Sequence, residues 1–262
     1  MSAGSRRLAV MLTFVTGTAA HAQSFEYAPG TATYRVSQST KGTQEAMGQK
    51  NEMEGTSNQV VTVSLARSAK DTVTMNVTID SITSSMAMPQ MLERFTGMMV
   101  TAKLSPVGVF YSVQAANDKG GPDGAALRQA LGGFLPRLRA SLSKGATWTD
   151  TSVNKLNQNG LEIERKTVST YRVEGDTTIG GQASWKIARA DSISMTGSGN
   201  TANGPMTMEG TSKSNGTVFV TSRGVYLGGQ GTEDAQLRFV VAANGMEIGM
   251  TQSSTTKVEK IK

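Results

Sequence analysis

The chain has no cysteine and one histidine, His21, among its 262 residues, and aromatic residues make up only 5% of it. Each scarcity removes a class of chemistry. Without cysteine there is no disulfide framework and no thiolate nucleophile. His21 sits in an N-terminal stretch that has the pattern of a cleavable leader, so the exported chain would keep neither His nor Cys. The commonest general acid–base group and the usual zinc ligands go with them. A non-enzymatic protein without a cofactor is the expectation. The formal charge is +6, and its densest basic stretch, Arg128, Arg137, Arg139 and Lys144, is loose and lacks interleaved aromatics. A nucleic-acid surface would need a basic stripe with aromatic platforms, so no nucleic-acid partner is expected.

Long hydrophobic runs are missing as well. The one apolar run near the start, Leu8 to Val15, is too short to span a bilayer. Arg6 and Arg7 precede it and Ala20-His21-Ala22 follows it, which is the three-part pattern of a secretory signal peptide with Gln23 as the new N-terminus. The expected organisation is a signal peptide over 1–22 and a single β-rich domain over 23–262. Two pseudo-repeated lobes, about 31–145 and 146–262, are the alternative division. The mature chain is expected to be soluble, without a transmembrane segment, in a bacterial periplasm or secreted beyond it.

What is abundant is threonine, serine, glycine and valine in period-2 alternation. Val73, Met75, Val77 and Ile79 take one face of a run whose other face is Thr72, Thr74, Asn76, Thr78 and Asp80. That is a half-buried strand. Val61, Val63 and Leu65 precede it, so 58–82 reads as a hairpin around Ser68 to Asp71. Further strand-like runs are 32–41, 45–57, 100–115, 161–174, 183–196, 204–213, 216–228, 235–243 and 246–258. Asn159-Gly160, Asn215-Gly216 and Asn244-Gly245 read as tight hairpin turns between them, as does Gly180-Gly181.

Two stretches break this pattern. Met88, Met91, Leu92, Phe95 and Met98 have helical spacing and predict a short helix over 88–99. Leu127, Leu131, Phe134, Leu135, Leu138 and Leu142 form one apolar stripe and predict a longer amphipathic helix over 123–143, capped by Asp123 and kinked at Pro136. The fold expected from these pieces is mainly β: a large curved antiparallel sheet, half-barrel-like, packed on one or two amphipathic helices.

Short segments recur. MEGTS occurs at Met53 to Ser57 and at Met208 to Ser212, and Thr-Tyr-Arg-Val at 33–36 and 170–173. Ser105 to Phe110 has a looser echo in Thr221 to Tyr226. The common order fits an internal duplication. Within MEGTS the Met and Gly share one strand face and the Glu and Thr the other, so the motif encodes shape, with the glycine marking a bulge or a close approach to the backbone.

The chemistry-bearing candidates are sparse. Glu162 and Glu164 project from one strand face, but Lys155, Arg165 and Lys166 lie nearby, and solvated cross-strand ion pairs are the plainer reading. Ser141 and Lys144 have the Ser-x-x-Lys spacing without its companion motifs. The methionines at 86, 88, 91, 98 and 99 suit a core, then an adaptable apolar wall, then a Cu(I) site without His or Cys to complete it.

Leu104 to Gly108 (L-S-P-x-G), Leu135 to Leu138 (L-P-x-L), Gly145 to Asp150 (G-x-x-W-x-D), the two TYRV segments and Ile179 to Gly181 (I-x-G) together resemble a group of exported bacterial β proteins. More distantly, a curved sheet wrapped over helices resembles the LolA/LppX-type envelope carriers of lipids and lipoproteins. The resemblance implies an apolar hollow between sheet and helices rather than an activity. Met88, Met91, Leu92, Phe95, Leu127, Leu131, Phe134 and Leu138 are the residues expected to line that hollow, for a lipid or other apolar ligand. An envelope protein partner is also open. A structural envelope protein without ligand, and a hydrolase using carboxylates alone, are the other two functional readings.

Overall fold

The structure is a computed structural model describing residues 25–87, 89–115, 131–139, 141–158, 160–201, 204–243 and 245–262. The expected signal peptide, Met88 and Leu127 lie outside the described residues, as does the side chain of Met91. Eleven strands form one sheet. They are β1 (Gly30–Ala46), β2 (Gln49–Ala69), β3 (Thr72–Ser84), β4 (Met99–Leu104), β5 (Phe110–Ala115) and β6 (Thr147–Gln158). Then follow β7 (Leu161–Ile179), β8 (Gln182–Thr201), β9 (Gly204–Thr221), β10 (Tyr226–Val241) and β11 (Met246–Lys260). A five-residue helix, α1 (Pro89–Glu93), joins β3 to β4.

Every pairing is antiparallel, in the order β5-β4-β3-β2-β1-β11-β10-β9-β8-β7-β6. The first and last strands therefore pair at the centre of the sheet, from Tyr34 opposite Lys260 to Ala46 opposite Ile248. Alternation across eleven strands leaves the edge strands β5 and β6 running the same way. Direct antiparallel closure between them is not open to this sheet, and it stays an open curve.

Each strand buries one face. On β7, Leu161, Ile163, Ser169, Tyr171 and Val173 are buried, while Glu162, Glu164, Lys166, Thr170 and Arg172 alternate with them and are exposed. Period 2 puts all of one set on the inner face. At the end where β1 starts and β11 finishes, which we call the lower end, that face packs into a core. Val61, Val63, Val73, Met75, Val77, Val100, Tyr171, Val173, Ile187, Val218 and Val220 surround Leu131, Leu135 and Leu138. The segment 131–139 fills this end like a plug. Tyr27 donates its hydroxyl hydrogen to the Pro136 carbonyl at 2.6 Å. The Leu138 amide donates to the Val107 carbonyl at 2.8 Å.

The echo between 105–110 and 221–226 is one turn made twice. The Ser105 amide donates to the Val109 carbonyl and the Thr221 amide to the Val225 carbonyl, at 2.8 and 2.9 Å. The hydroxyl of Ser105 or Thr221 accepts from the amide of Val109 or Val225, each at 3.0 Å. The N-terminal segment bridges the two turns: the Tyr27 amide donates to the Pro106 carbonyl and the Ala28 amide to the Gly224 carbonyl. The other repeats keep no common strand spacing, since TYRV and MEGTS fall on β1 and β2 in one case and on β7 and β9 in the other.

Several expectations are corrected. The longer helix expected over 123–143 is helical only at 131–134 among its described residues; Pro136 removes a donor and the chain is non-helical from 135 onward. The helix expected over 88–99 stops at Glu93, and Gly97 at a φ of 78° turns the chain into β4. Asn215-Gly216 is no turn but the middle of β9, with Gly216 opposite Gly231. Strand β6, which the expected set of strands lacks, forms from the alternation Thr147, Thr149, Thr151, Val153.

Gly224 has a φ of 83°, and a β-carbon added there would collide with the Glu26 carbonyl. Gly224→Ala should therefore destabilise the fold by roughly 1–3 kcal/mol in urea unfolding. Gly249→Ala, where nothing lies within 4 Å of the added carbon, serves as the neutral comparison.

Candidate functional site

Strand register makes the inner face a set of rows. The row nearest the plug is Trp148, Tyr171, Arg189, Gly216, Gly231, Thr256 and Gln38. The next row up is Asp150, Ser169, Asp191, Ser214, Glu233, Ser254 and Thr40. Together these rows are a polar belt above the apolar core. Higher still, Leu156, Leu161, Ile163, Met195, Met206, Met208 and Phe239 pack as a second, separate apolar cluster.

An aromatic floor separates belt from plug. Phe134 meets Tyr34 edge-on at 5.1 Å and Tyr226 at 5.5 Å. Trp148 stacks on Tyr171 at 5.0 Å with an interplanar angle of 9°. Arg189 lies over the Tyr171 ring at 5.7 Å, a cation–π contact. The same guanidinium donates to Asp191 at 2.9 Å and to the Gly132 carbonyl of the plug at 3.4 Å. Asp191 also accepts from the Ser214 hydroxyl at 2.9 Å, and Glu233 accepts from the Ser212 hydroxyl at 2.6 Å. Arg137 of the plug pairs with Asp150 of the belt.

A cation stands two inner rows above the Asp150–Ser169 row. Arg165 projects from β7 on the inner face, with Asn154 and Met195 beside it in register. Its Nε is buried and has no hydrogen-bond partner; the Trp148 indole nitrogen is in the same condition. Burial lowers the Arg165 pKa from its ordinary value, an effect opposed by the charges of Glu233 and Asp191 and reinforced by Arg189. The arrangement can therefore present a desolvated donor at the border between the polar belt and the upper apolar layer.

The residues expected to line an apolar hollow divide by position. Leu131 and Leu138 are buried in the lower core. Phe134 and Phe95 are partly buried against that core. Leu92, on α1, is half-buried. Thioethers line the upper inner surface at Met195, Met206 and Met208. Glu162 and Glu164 point outward, with Glu164 3.9 Å from Lys155. Arg165 was the residue to single out: in the alternating run Leu161, Ile163, Arg165, Thr167, Ser169, Tyr171 it is a cation on the apolar phase of a strand. The MEGTS glycines prove to be close-approach points. A β-carbon on Gly55 would strike Met86, and one on Gly210 would strike Leu237.

The outer face is different in kind. Along β1, β2 and β9–β11 it carries Lys41, Glu52, Glu54, Glu209, Lys213, Arg238, Glu247 and Lys257, interspersed with Thr and Ser. A lipid-facing barrel presents an apolar band there instead. Two shallow troughs on this face, about 670 and 870 Å³, are floored by Thr, Ser, Ala and Gly and open broadly to solvent.

Asp191→Asn removes the counter-ion of Arg189, whose side chain is only 16% exposed, and should cost about 3–5 kcal/mol of unfolding free energy. Burial also raises the phenol of Tyr34 from 10 to about 12, and those of Tyr27, Tyr171 and Tyr226 upward. Protonated phenols are thus favoured by folding. Their contribution is full below pH 10 and is lost as the pH rises through the folded value near 12. Thermal midpoints should hold to about pH 10 and fall beyond it, in step with tyrosinate absorbance.

No family model matches the chain, and no characterised protein matches it by sequence. Among solved structures, a mutant of the Rh. blastica porin is similar over 87% of this chain and 100% of its own, at 6% identity and a TM-score of 0.30. Salmonella typhi OmpF is similar over 89% of this chain and 98% of its own, at 6% identity and a TM-score of 0.31. Pseudomonas aeruginosa OccK2 gives 8% identity, 88% and 98% coverage and a TM-score of 0.24. Likenesses at this level carry no argument about this chain.

Proposed function

We propose that this chain is an exported, non-enzymatic envelope protein that binds an apolar or amphipathic ligand on the inner face of its open sheet. The observation that carries the reading is the upper apolar layer. Leu156, Met195, Met206 and Phe239 are only partly buried, although they adjoin the buried Leu161, Ile163 and Met208. In register beyond them, Leu237, Ile248, Met246 and Met250 continue the layer onto β10 and β11, each half-buried. Flexible thioethers suit a surface that must fit varied apolar shapes. The charged outer face is compatible with an aqueous compartment, in keeping with a leader that is removed on export.

A second reading, a structural envelope protein without ligand, is favoured by one observation. The lower hollow is already filled, with Leu135 and Leu138 each 2% exposed. The two readings differ in what the exported protein carries. Purified gently from a bacterial periplasm, a carrier should show a reproducible added mass in native mass spectra. That mass should be lost on denaturation and recovered in organic solvent. A clean apo mass, together with no uptake of fluorescent fatty acid or phospholipid, would sink the carrier reading in favour of the structural one.

A further inference from the structure

We propose that Arg165 anchors the anionic head of a long-chain amphiphile whose apolar tail lies along the upper layer of the inner face. The proposal rests on the ligand-binding reading above and names the chemical class of the ligand. Three observations carry it. The Arg165 Nε is buried without a hydrogen-bond partner, and leaving a buried donor unpaired is costly. The neighbouring carboxylates are engaged elsewhere, Asp191 by Arg189 and Ser214, and Glu233 by Ser212. Register places Arg165 at the foot of the apolar layer. Met195 is beside it, and Ile163 lies two residues above it on β7, opposite Leu156.

These facts select among occupants. A purely apolar ligand would cover the methionines but leave the guanidinium donor unsatisfied. A free small anion would satisfy the donor but leave the layer half-exposed. An anionic head on a long chain does both, with the head at Arg165 and the tail running toward the turns at Met47-Gly48 and Ala242-Ala243. A carboxylate or phosphate accepts from a guanidinium in two parallel bonds, which also fixes the tail's direction. Glu233 and Asp191 keep the belt from becoming a general anion sink, so the apolar tail is needed for binding.

Displacement of Nile red, a neutral apolar dye, by oleate and by oleyl alcohol tests this on the full exported chain after delipidation. Wild type should take oleate about tenfold more tightly than the alcohol, because only oleate offers the charge. Arg165→Gln should lose that preference while still binding the alcohol, and Arg165→Lys should keep part of it. Equal displacement by the two ligands in wild type would overturn the anchor while leaving the apolar-ligand reading standing. That comparison needs no variant to fold. Failure of Nile red and both amphiphiles to bind would remove the underlying reading itself. A dimer in native mass spectra that takes up no amphiphile would assign the layer to a second copy, and would also overturn the proposal.

Discussion

Covering one face of a very long sheet is the constraint on which everything else in this molecule depends. All eleven strands bury the same face, and no disulfide is available to hold the curve. At the lower end the cover is nine residues of chain, 131–139, held by side chains from the N-terminal segment, β6 and β8. Tyr27 grips the Pro136 carbonyl, Arg189 reaches the Gly132 carbonyl, and Arg137 meets Asp150. Leu131, Leu135 and Leu138 then exclude water from a core drawn from strands that are far apart in sequence. Burying each such leucine is worth roughly 1.5–3 kcal/mol. The N-terminal segment ties the two like turns at 105–109 and 221–225 together beneath it.

Above the plug the same logic runs out of cover, and the residues change character. The belt row beginning Asp150 and Ser169 is built from short hydroxyls and charged side chains that satisfy one another. The costs of burying Arg189 and Asp191 are offset by a close ion pair, a hydroxyl and an aromatic face. Beyond the belt the side chains become apolar again and remain partly open. An apolar–polar–apolar sequence along one strand face is unusual for a plain packed core, in which the middle would be the driest part. It is natural in a surface divided between two tasks, folding below and contact with something else above.

The strand-rich, one-sided character of the chain was legible in its period-2 runs, and so was the shape role of MEGTS. The turns at Gly160, Gly180-Gly181 and Gly245 could be read from local composition. Three things could not. Asn215-Gly216 has the chemistry of a tight turn, yet the pairing of β9 with both β8 and β10 outweighs that local preference. The leucines at 131, 135 and 138 have helical spacing, but Pro136 and the bond from Leu138 to Val107 pull the chain out of helix. Strand β6 carries so few apolar residues that its alternation is mostly of hydroxyls. As for the candidate site, the inner methionines Met195, Met206 and Met208 come together only through the register of β8 with β9. The eye falls on Glu162 and Glu164, whereas the residue between belt and apolar layer is Arg165.

What the sequence determined by itself follows from near neighbours: strands from i and i+2, turns from Gly, and the absence of thiol chemistry from composition. What the tertiary structure decided follows from pairing. That β1 and β11 meet at the centre, that a short plug from between β5 and β6 closes the lower end, and that Arg165, Asp191 and Glu233 share one inner face all depend on register between distant strands. A shift of one residue in any of those ladders would turn every inner side chain of that strand to solvent. Local preferences fix which residues can share a face, but only the assembled sheet selects the neighbours they meet there.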